Sequence, residues 1–500
     1  MFESVLIANR GEIACRIIRT CRDLGIRTIA VYSEVDQDAL HVLLADEAHP
    51  IGPSPAAESY LLAERILGVA RATGASAIHP GYGFLSENPD FQRACVEAGI
   101  VFIGPSADAM IAMGEKTLAR KTMVAAGVPV VPGTESLSES TVAEAAAEIG
   151  YPVMLKAASG GGGKGMQVVH EASEVVDAFQ SAQRTARSAF GDDRVYLERF
   201  VSNPRHVEIQ ILADAQGDAI HLFERECSVQ RRHQKIIEEA PASRLSEETR
   251  QAMGAVAVQA AKAIGYTNAG TCEFLVDGEE RFYFLEMNTR LQVEHPVTEC
   301  ITGVDLVEEQ LHVASGHPLR IRQEDLTIQG HAIECRLYAE DPEQGFLPSP
   351  GFLEGLRFPG GPGVRIDAGV HPGSQVSEHY DPMIAKIIVH GRDRASAIRR
   401  AIRALSECHV GGIRTNLPLL RRVLEHSPFV EGSYDTGILS TLPETPQLDA
   451  DTRALIAAAA AVLADEAQST GSSGVRSAGS SNPWRDAGRQ ERLEARVRRS

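Results

Sequence analysis

Polar residues recur with a fixed spacing along one short run of the chain. Residues 286–294 read Glu-Met-Asn-Thr-Arg-Leu-Gln-Val-Glu, so an ionisable or amide side chain falls at every second position. If the backbone is extended there, these side chains point the same way, and two carboxylates, two amides and one guanidinium share a face. Such a face can hold a divalent cation, bind an anion and move a proton. The alternative is a half-buried strand whose polar face only meets water.

A glycine run is the second candidate for chemistry. Residues 159–165 read Ser-Gly-Gly-Gly-Gly-Lys-Gly, between the predicted strands Tyr151–Lys156 and Met166–His170. Glycine N–H groups can approach phosphate oxygens because no Cβ intervenes. A P-loop is excluded, since position 158 is Ala, position 165 is Gly, and a strand rather than a helix follows. We expect a hairpin that closes over a nucleotide, with Lys156 in reach of its phosphates; the alternative is a surface turn without a ligand.

The elements around these residues indicate an α/β protein that is in part α+β. Short apolar runs at Val5–Ala8, Arg27–Tyr32, Ala77–His79 and Val101–Ile103 alternate with helical patterns such as Ile13–Leu24. This alternation is typical of a parallel sheet. The first strand–helix turn lacks GxGxxG, so no dinucleotide site is predicted there.

Further along the chain, strands dominate. His206–Leu212 alternates as a half-buried strand does, and Glu273–Val276 and Arg281–Asn288 predict a hairpin. Residues 224–235 are rich in hydrogen-bond donors and favour an exposed helix or loop as much as a ligand-binding segment. A helix over 141–149 is predicted, with a capping box of Thr141 and Glu144. The clearest later elements are two strands and a helix: His331–Tyr338, Met383–Val389 and Arg394–Cys408.

Composition excludes several classes of protein. The net charge of -18 argues against a general nucleic-acid or anionic-membrane partner. The start of the chain has no basic leader, and the Ala-rich stretch 454–464 is too short to cross a bilayer. We therefore expect a cytoplasmic protein with no membrane and no nucleic-acid partner. The 8 cysteines show no metal-type spacing and are expected to be reduced, mostly buried thiols.

Eight segments in collinear order resemble the biotin carboxylases of the ATP-grasp superfamily, over about residues 1–440. The segments are Ile7–Ala14, Ile78–Asn88, Lys156–Met166, Asn203–Gln210, Gln230–Lys235, Glu286–Glu299, Gly330–Arg336 and Phe346–Gly351. One glycine loop would be weak support, but an ordered set of eight is specific.

The resemblance implies three domains. These are an N-terminal Rossmann-like parallel-sheet domain over residues 1–112, a central ATP-grasp domain over 113–329 with a mobile glycine-rich lid at about 130–204, and a C-terminal mixed α/β domain over 330–442. Residues 443–500 contain an Ala-rich helical segment, a Ser/Gly linker and an Arg-rich tail.

The resemblance also implies roles for single residues. The residues matched to ATP are Lys116, Lys156, Gly162, Gly163, Glu198, Arg199, Phe200, Val201, His206, Gln230, His233, Glu273 and Glu286. Those matched to two Mg²⁺ or Mn²⁺ ions are Glu273, Glu286 and Asn288, which offer hard oxygen ligands. Those matched to bicarbonate are Lys235, Arg290, Gln292, the Val293 backbone and Glu294. Tyr82 and Arg336 are matched to biotin, and the catalytic set is Glu294, Arg290, Lys235 and Arg336.

The implied reaction converts ATP, bicarbonate and biotin into ADP, phosphate and N1-carboxybiotin by way of carboxyphosphate. Glu294 would be the general base that deprotonates bicarbonate, and Arg336 would steady negative charge on the ureido oxygen of biotin. This is the first half-reaction of a biotin-dependent acyl-CoA carboxylase, of which the acetyl-CoA enzyme of fatty acid biosynthesis is one example.

The expected partners follow from the same resemblance. The chain contains no Met-Lys-Met sequence of the biotin-carrier type, so biotin is expected on a carrier protein or domain. Carboxyltransferase subunits and a second copy of this chain are the other expected partners. Acetyl-CoA, another acyl-CoA, pyruvate and urea stay open as the final acceptor.

Two other functions fit the sequence less well. The run from Arg290 to Pro296 and the match around Arg336 argue against another ATP-grasp ligase, such as a carbamoyl-phosphate or amino-acid ligase. A non-catalytic nucleotide-binding regulatory subunit would lack a base or a metal ligand, and the sequence retains all of them.

Overall fold

Apolar strands at the N-terminus form a parallel sheet, as predicted. The protein is described here by a computed structural model that covers residues 1–134, 137–157, 166–444, 451–452, 454–455 and 458–459. The strands are β1 Ser4–Ile7, β2 Arg27–Ser33, β3 Glu47–Gly52, β4 Ala77–His79 and β5 Val101–Phe102, and they pair in parallel in the order β3-β2-β1-β4-β5. The helices of this region are α1 Gly11–Asp23, α2 Leu40–Leu44, α3 Ala63–Thr73, α4 Pro89–Glu97 and α5 Ala107–Gly114.

A small antiparallel sheet follows, after helix α6 (Lys116–Ala125). Its strands β6 Val153–Ala157, β7 Met166–Val169 and β8 Val195–Arg199 pair in the order β7-β6-β8. Helices α7 (Val142–Ile149) and α8 (Val175–Phe190) pack against it around a shared apolar cluster. The glycine run between β6 and β7, with Gly162 and Gly163, lies outside the described residues, as does the side chain of Lys116.

The predicted capping box of α7 is wrong. A capping residue needs an extended backbone for its side chain to reach the free N–H groups of the first turn. Thr141 has φ −109° and ψ −16° instead, and it makes no side-chain cap hydrogen bond. Its hydroxyl donates to the Ser138 carbonyl oxygen. Gly150 ends the helix, as predicted.

A long antiparallel sheet dominates the rest of the described residues. Its strands are β9 Arg205–Ala213, β10 Ala219–Arg231, β11 Gln234–Ala240, β12 Asn268–Val276, β13 Phe282–Asn288, β14 His331–Tyr338, β19 Val364–Ala368 and β21 Met383–Gly391. They are arranged in the order β13-β12-β9-β10-β11-β14-β21-β19. Short pairs join β15 Glu340–Asp341 to β16 Leu347–Pro348, β17 Gly351–Phe352 to β20 Gln375–Val376, and β18 Gly355–Arg357 to β22 His409–Gly411.

Helices cover this long sheet. They are α9 Glu247–Ala263, α10 His295–Thr302, α11 Leu306–Ala314, α12 Arg394–Glu407, α13 Leu417–Glu425 and α14 Ser427–Glu431. One face of the sheet packs on α12 and α13 through an apolar core that includes Ile333, Leu337, Ile387 and Leu420. The other face carries charged side chains, and α10 lies across β10, β11, β14 and β21 there.

Burial corrects two expectations from the sequence. His206–Leu212 was expected to be half-buried, but β9 is buried on both faces, with only Arg205 partly accessible. Residues 224–229 are buried in β10 and Lys235 is buried in β11, so the expectation of an exposed helix or loop is wrong for these residues; Arg232 and His233, in the turn between the strands, are exposed as a loop would be. The reason is the same for both: the polar side chains of these strands lie under α10 or against the central cavity, which local composition does not reveal.

The chain divides into two compact units, Met1–Leu442 and Pro443–Ser500. The limits predicted at residues 112 and 329 lie inside the first unit, and the long sheet takes strands from both sides of residue 329; these limits stay predictions. The linker and tail predicted beyond residue 460 lie outside the described residues. Within the described part, no helix combines the length and apolar character that crossing a bilayer needs.

Candidate active site

A large cavity lies at the charged face of the long sheet. Its volume is about 1510 Å³, and its walls come from the turn that carries Tyr82, from the small sheet at Lys156, and from strands β10 to β14. The predicted site residues that line it are Tyr82, Lys156, Glu198, Arg199, Phe200, Val201, His206, Gln230, His233, Lys235, Glu273, Glu286, Asn288, Arg290, Gln292, Val293 and Arg336. The structure therefore brings together almost the whole predicted set. Glu294 lies just behind the cavity wall and is fully buried.

Lys235 is the central cation of the site. Its Nζ lies 2.6 Å from Glu208 Oε2, 2.8 Å from Glu273 Oε1 and 2.6 Å from Glu294 Oε1. Burial by itself lowers the pKa of this ammonium, but the three carboxylates outweigh burial and raise the pKa well above its ordinary value. Lys235 is therefore a permanent positive charge, suited to holding anions rather than to moving protons.

Glu294 is held between two cations. Its Oε1 accepts from Lys235, and its Oε2 accepts from Arg336 Nη2 at 2.8 Å. Burial raises the pKa of Glu294, but Lys235, Arg336 and Arg225 together hold it well below the ordinary value of a glutamate. The carboxylate is thus ionised throughout the neutral range. Cys227 Sγ lies 3.9 Å from its Oε1, so this cysteine is a buried neighbour of the site.

The backbone that carries Glu294 is not a continuous strand. β13 ends at Asn288, residues 289–294 form a turn, and α10 begins at His295 with Pro296 in its first turn. The expectation of an extended run as far as Glu294 is therefore wrong beyond Asn288. A distant residue holds the chain out of the sheet: Glu87 accepts from the Thr289 N–H at 3.0 Å and from Arg290 Nε at 2.8 Å.

The turn nevertheless gathers the predicted side chains. Arg290 donates to Gln292 Oε1 and to Asn288 Oδ1, both at 3.1 Å. Asn288 and Gln292 in turn donate to Glu273 Oε1, at 3.0 and 3.3 Å. The five polar groups of residues 286–294 thus face one region, but from Arg290 onward they do so through hydrogen bonds in a turn rather than through the alternation of a strand.

Two carboxylates meet across the predicted hairpin. β12 and β13 pair antiparallel with Glu273 opposite Glu286 and Thr271 opposite Asn288, with an irregularity next to Glu273. Directly opposed residues project from the same face of a sheet. Glu273, Glu286 and Asn288 therefore offer three oxygen-bearing side chains toward one side of the cavity, a donor set that fits a hard cation such as Mg²⁺.

The nucleotide-side residues lie on the small sheet and on β9. Lys156 Nζ lies 2.5 Å from Glu198 Oε2, and these two residues occupy paired strands β6 and β8. His206 Nε2 lies 3.0 Å from Glu273 Oε2, which connects β9 to the carboxylate pair. Arg199, Phe200 and Val201 follow Glu198 along the cavity wall.

The two biotin-matched residues lie on β14 (Arg336) and in the segment that follows β4 (Tyr82). Arg336 approaches Glu238 Oε1 at 2.5 Å in addition to Glu294. Burial lowers the pKa of this guanidinium, but Glu238 and Glu294 keep it well above its ordinary range. The Tyr82 hydroxyl donates to Glu12 Oε1. Tyr82 and Arg336 both line the cavity, so the structure brings them together with the base.

Several residues of the site are not predicted from the sequence. Glu208 contacts Lys235 and also Arg225, whose Nε lies 2.5 Å away; Arg225 and Glu208 are fully buried. Glu87 and Glu238 were also unassigned. A signal for Glu208 exists: His206, Glu208 and Gln210 alternate along β9 like the residues of the 286–294 run. The roles of Glu87 and Arg225 depend on partners far away in the chain, and no local pattern marks them.

Comparison with known proteins gives a consistent result along the chain. Residues 1–110 match the family described as "Biotin carboxylase, N-terminal domain", residues 115–322 match "Carbamoyl-phosphate synthase L chain, ATP binding domain", and residues 334–441 match "Biotin carboxylase C-terminal domain".

Individual relatives agree with these matches. The chain is 54% identical over 445 residues to Biotin carboxylase 1 of Bacillus subtilis (strain 168), covering 88% of this chain and 99% of that protein. It is 51% identical over 468 residues to the mitochondrial methylcrotonoyl-CoA carboxylase subunit alpha of Dictyostelium discoideum, covering 92% of this chain and 67% of that protein.

A solved structure is similar as well. The biotin carboxylase domain dimer of Hydrogenobacter thermophilus 2-oxoglutarate carboxylase, in complex with MgADP, ADP and bicarbonate, has a TM-score of 0.82 and 47% identity, covering 88% of this chain and 97% of that one. With its N-terminal parallel sheet, its long antiparallel sheet and a cavity that gathers the matched residues, the chain belongs to the biotin carboxylase family, ligases that carboxylate biotin with ATP.

Proposed function

We propose that the cavity carries out the first half-reaction of a multi-component carboxylase, with ATP, bicarbonate and carrier-bound biotin as substrates. The observation that carries this proposal is the position of Glu294, whose two oxygens are held by Lys235 on the nucleotide side and by Arg336 on the biotin side. A base in this place lies between the cation on the nucleotide side and the cation on the biotin side. Each neighbouring cation can then serve one substrate.

In the first step, bicarbonate binds beside Arg290. A guanidinium fork suits a planar oxyanion, and Glu87, Asn288 and Gln292 hold the fork in place. The arriving anion adds a negative charge next to Glu294, which raises the pKa of the carboxylate toward that of a useful base. Glu294 takes the bicarbonate proton, and the bicarbonate oxygen attacks the γ-phosphorus of ATP with release of ADP, giving carboxyphosphate.

The proposed metal ligands are Glu273, Glu286 and Asn288. When bound there, Mg²⁺ or Mn²⁺ would neutralise the charge of the ATP phosphates. Glu273 is shared with Lys235, so this carboxylate is held ready by hydrogen bonds when the ligands are absent. The Hydrogenobacter relative, solved in complex with MgADP, supports magnesium; manganese and a second ion rest on the family resemblance.

In the second step, biotin lies between Tyr82 and Arg336. Carboxyphosphate breaks down to CO₂ and phosphate, and the phosphate accepts the N1 proton of biotin. The resulting nitrogen anion attacks CO₂ while Arg336 balances the charge on the ureido oxygen. Because Arg336 also contacts Glu294, removal of Arg336 is expected to weaken both steps rather than the second step alone.

The partners belong to the same proposal. Carrier-bound biotin, carboxyltransferase subunits and a homodimer are supported by relatives that are subunits or domains of larger carboxylases and by the dimeric Hydrogenobacter domain. The final acceptor stays open, because it differs among the relatives: the Dictyostelium subunit is named for methylcrotonoyl-CoA and the Hydrogenobacter domain for 2-oxoglutarate. A cytoplasmic location and the domain limits predicted above are retained as parts of this proposal.

Glu294→Gln tests the assignment of the base. The amide keeps the shape of the side chain but cannot accept the bicarbonate proton, so bicarbonate-dependent ATP hydrolysis should fall by about 100-fold or more. ATP affinity should stay nearly unchanged, because the nucleotide-side residues Lys156 and Glu198 pair with each other rather than with Glu294. Steady-state ADP release with and without bicarbonate, and ATP titration of the variant, measure the two quantities.

The matched control is Glu309→Gln. Glu309 is a buried glutamate of α11 that pairs with Arg320 and does not line the cavity. This variant should retain bicarbonate-dependent hydrolysis. Wild-type turnover in Glu294→Gln would overturn the assignment. Hydrolysis that responds to neither bicarbonate nor free biotin in the wild-type protein would instead favour another ATP-grasp ligase or a regulatory nucleotide-binding subunit.

A further inference from the structure

One buried lysine next to the site has no role in the mechanism above. Lys386, on β21, has no solvent-exposed surface and does not line the cavity. Its Nζ donates to the Val293 carbonyl oxygen at 2.7 Å. Val293 precedes the base Glu294 in the turn that leaves the sheet, so the lysine contacts the peptide that carries the base.

Lys386 also contacts the N-terminal region. Its Nζ lies 3.1 Å from Glu12 Oε1, in the first turn of α1. The same Glu12 oxygen accepts the hydroxyl of Tyr82, which lines the biotin side of the cavity. Tyr82, Glu12, Lys386 and the Val293 carbonyl therefore form one continuous chain of polar contacts from the biotin wall to the base.

Carboxylates near Lys386 keep this buried lysine charged. In the register of the long sheet, Lys386 stands opposite Arg336 on β14 and opposite Asp367 on β19. Burial of an ammonium costs several kcal/mol unless carboxylates compensate it. Glu12, Glu334 and Asp367 do so, and they raise the pKa of Lys386 although burial lowers it. A neutral side chain would fill the same volume without this cost, which indicates that the donor itself is used.

We propose that Lys386 is a positioning residue for the carboxylation reaction. It fixes the Val293–Glu294 peptide against α1 and Tyr82, so that one buried cation sets the geometry of both the base and the biotin wall. This inference rests on the proposed function, because it presupposes that Glu294 is the base. Lys386 touches no substrate; it acts through the turn and through Glu12.

Lys386→Met is the first test. Methionine keeps the length and the apolar stem of the side chain but offers no donor to the Val293 carbonyl. A small displacement of a reacting group costs up to about 100-fold in rate, so kcat for bicarbonate-dependent ATP hydrolysis should fall about 10- to 100-fold. The KM for bicarbonate should rise as well, while the KM for ATP should change by less than about twofold, because the nucleotide-side residues Lys156 and Glu198 pair with each other rather than with this turn.

A second variant separates positioning from stability. Lys386→Met leaves the Glu12 carboxylate buried without its cation, which is itself destabilising. Combining it with Glu12→Gln removes that charge, so the midpoint of urea unfolding should recover toward wild type. If Lys386 positions the turn, kcat and the KM for bicarbonate should stay impaired in the double variant. If the lysine only neutralises Glu12, both should recover together with stability.

Arg394→Met is the matched control. Arg394 pairs with the buried Glu239 and does not line the cavity, so its loss breaks a comparable ion pair elsewhere on the same sheet. It should lower stability and leave both KM values unchanged. Unchanged kcat and bicarbonate KM in Lys386→Met, with Glu294→Gln inactive, would overturn the positioning role alone; an active Glu294→Gln would overturn the proposed function instead.

Discussion

Two adjacent glutamates of one strand show how strongly the surroundings decide the chemistry of a side chain. Glu238 stands opposite Glu334 in the β11–β14 register, and both are fully buried. Burial raises the pKa of Glu238 to about 7, although Arg336 opposes the shift. Glu239 is equally buried, but its contacts with His331 and Arg394 outweigh burial and lower its pKa to about 2. The two carboxyls therefore contribute to stability with opposite dependence on pH.

The direction in which the contribution of Glu238 to stability changes with pH can be tested with Glu238→Gln. The pKa of Glu238 in the folded protein lies above the value of 4.5 expected for an unperturbed glutamate. The contribution of Glu238 to stability is therefore complete below pH 4.5 and is lost as pH rises through about 7. The amide does not titrate. The free energy of unfolding of the variant, measured relative to wild type, should therefore increase by about 2 kcal/mol from about pH 5 to about pH 8. Urea unfolding across this range measures the difference.

Glu239→Gln is the control for this experiment. The folded pKa of Glu239 is depressed, so its contribution is present above the unperturbed value of 4.5 and is lost only as pH falls through about 2. Its replacement should lower stability by a nearly constant amount over the same range. A pH-independent difference for Glu238→Gln would contradict the raised pKa of Glu238.

At the scale of elements, the site depends on how closely α1 approaches β19. Gly369 lies just beyond the end of β19, and a Cβ placed there would lie 2.5 Å from the Glu12 nitrogen and 2.6 Å from the Gly11 carbonyl carbon. Real Cβ atoms do not approach backbone atoms so closely, and the neighbour is rigid helix backbone. This glycine therefore lets the first turn of α1 bring Glu12 to Lys386.

Gly369→Ala should force the start of α1 away from β19. Overpacking against backbone typically costs about 1 to 3 kcal/mol of unfolding free energy, and the contact of Glu12 with Lys386 should weaken at the same time. Gly360→Ala is the matched control, because nothing lies within 4 Å of a Cβ at that position. Chemical denaturation of both variants checks the prediction. Equal stability of the two variants would show that α1 can move without cost.

At the scale of the whole molecule, the described site belongs to one unit. Residues Met1–Leu442 form a compact unit that contains the cavity, the base and the buried cations. The Bacillus relative is matched over 99% of its length by 88% of this chain. We therefore expect the site to assemble without the residues beyond the first unit.

A chain that ends after residue 444 should keep its catalysis. We expect its kcat for carboxylation of free biotin to lie within about twofold of the full chain, because a compact unit carries its own core. Side-by-side assay of the two proteins at saturating ATP and bicarbonate measures this ratio. A large loss of activity would mean that residues 445–500 contribute to the site or to its assembly.

Much of the site could be predicted because its signals are local. The hairpin of β12 and β13 follows from two strand-like runs separated by a turn, and the structure confirms it; the register that sets Glu273 opposite Glu286 comes from the structure. The fold class follows from alternating strands and helices, and the N-terminal parallel sheet confirms that as well. Patterns of this kind arise between residues that are neighbours in the chain, so they can be recognised from the order of residues alone.

Tertiary structure decided the rest, because partners far apart in the chain set the outcome. The run from Glu286 to Glu294 leaves the sheet after Asn288 and is held by Glu87, about two hundred residues away. The burial of residues 224–229, the paired cations around Glu294 and the contact of Lys386 with Val293 likewise arise only where segments distant in the chain meet. The sequence by itself determined which chemical groups the site contains. The packing of distant strands determined which of these groups touch, because the pairing of buried charges depends on their distance in space and not on their order in the chain.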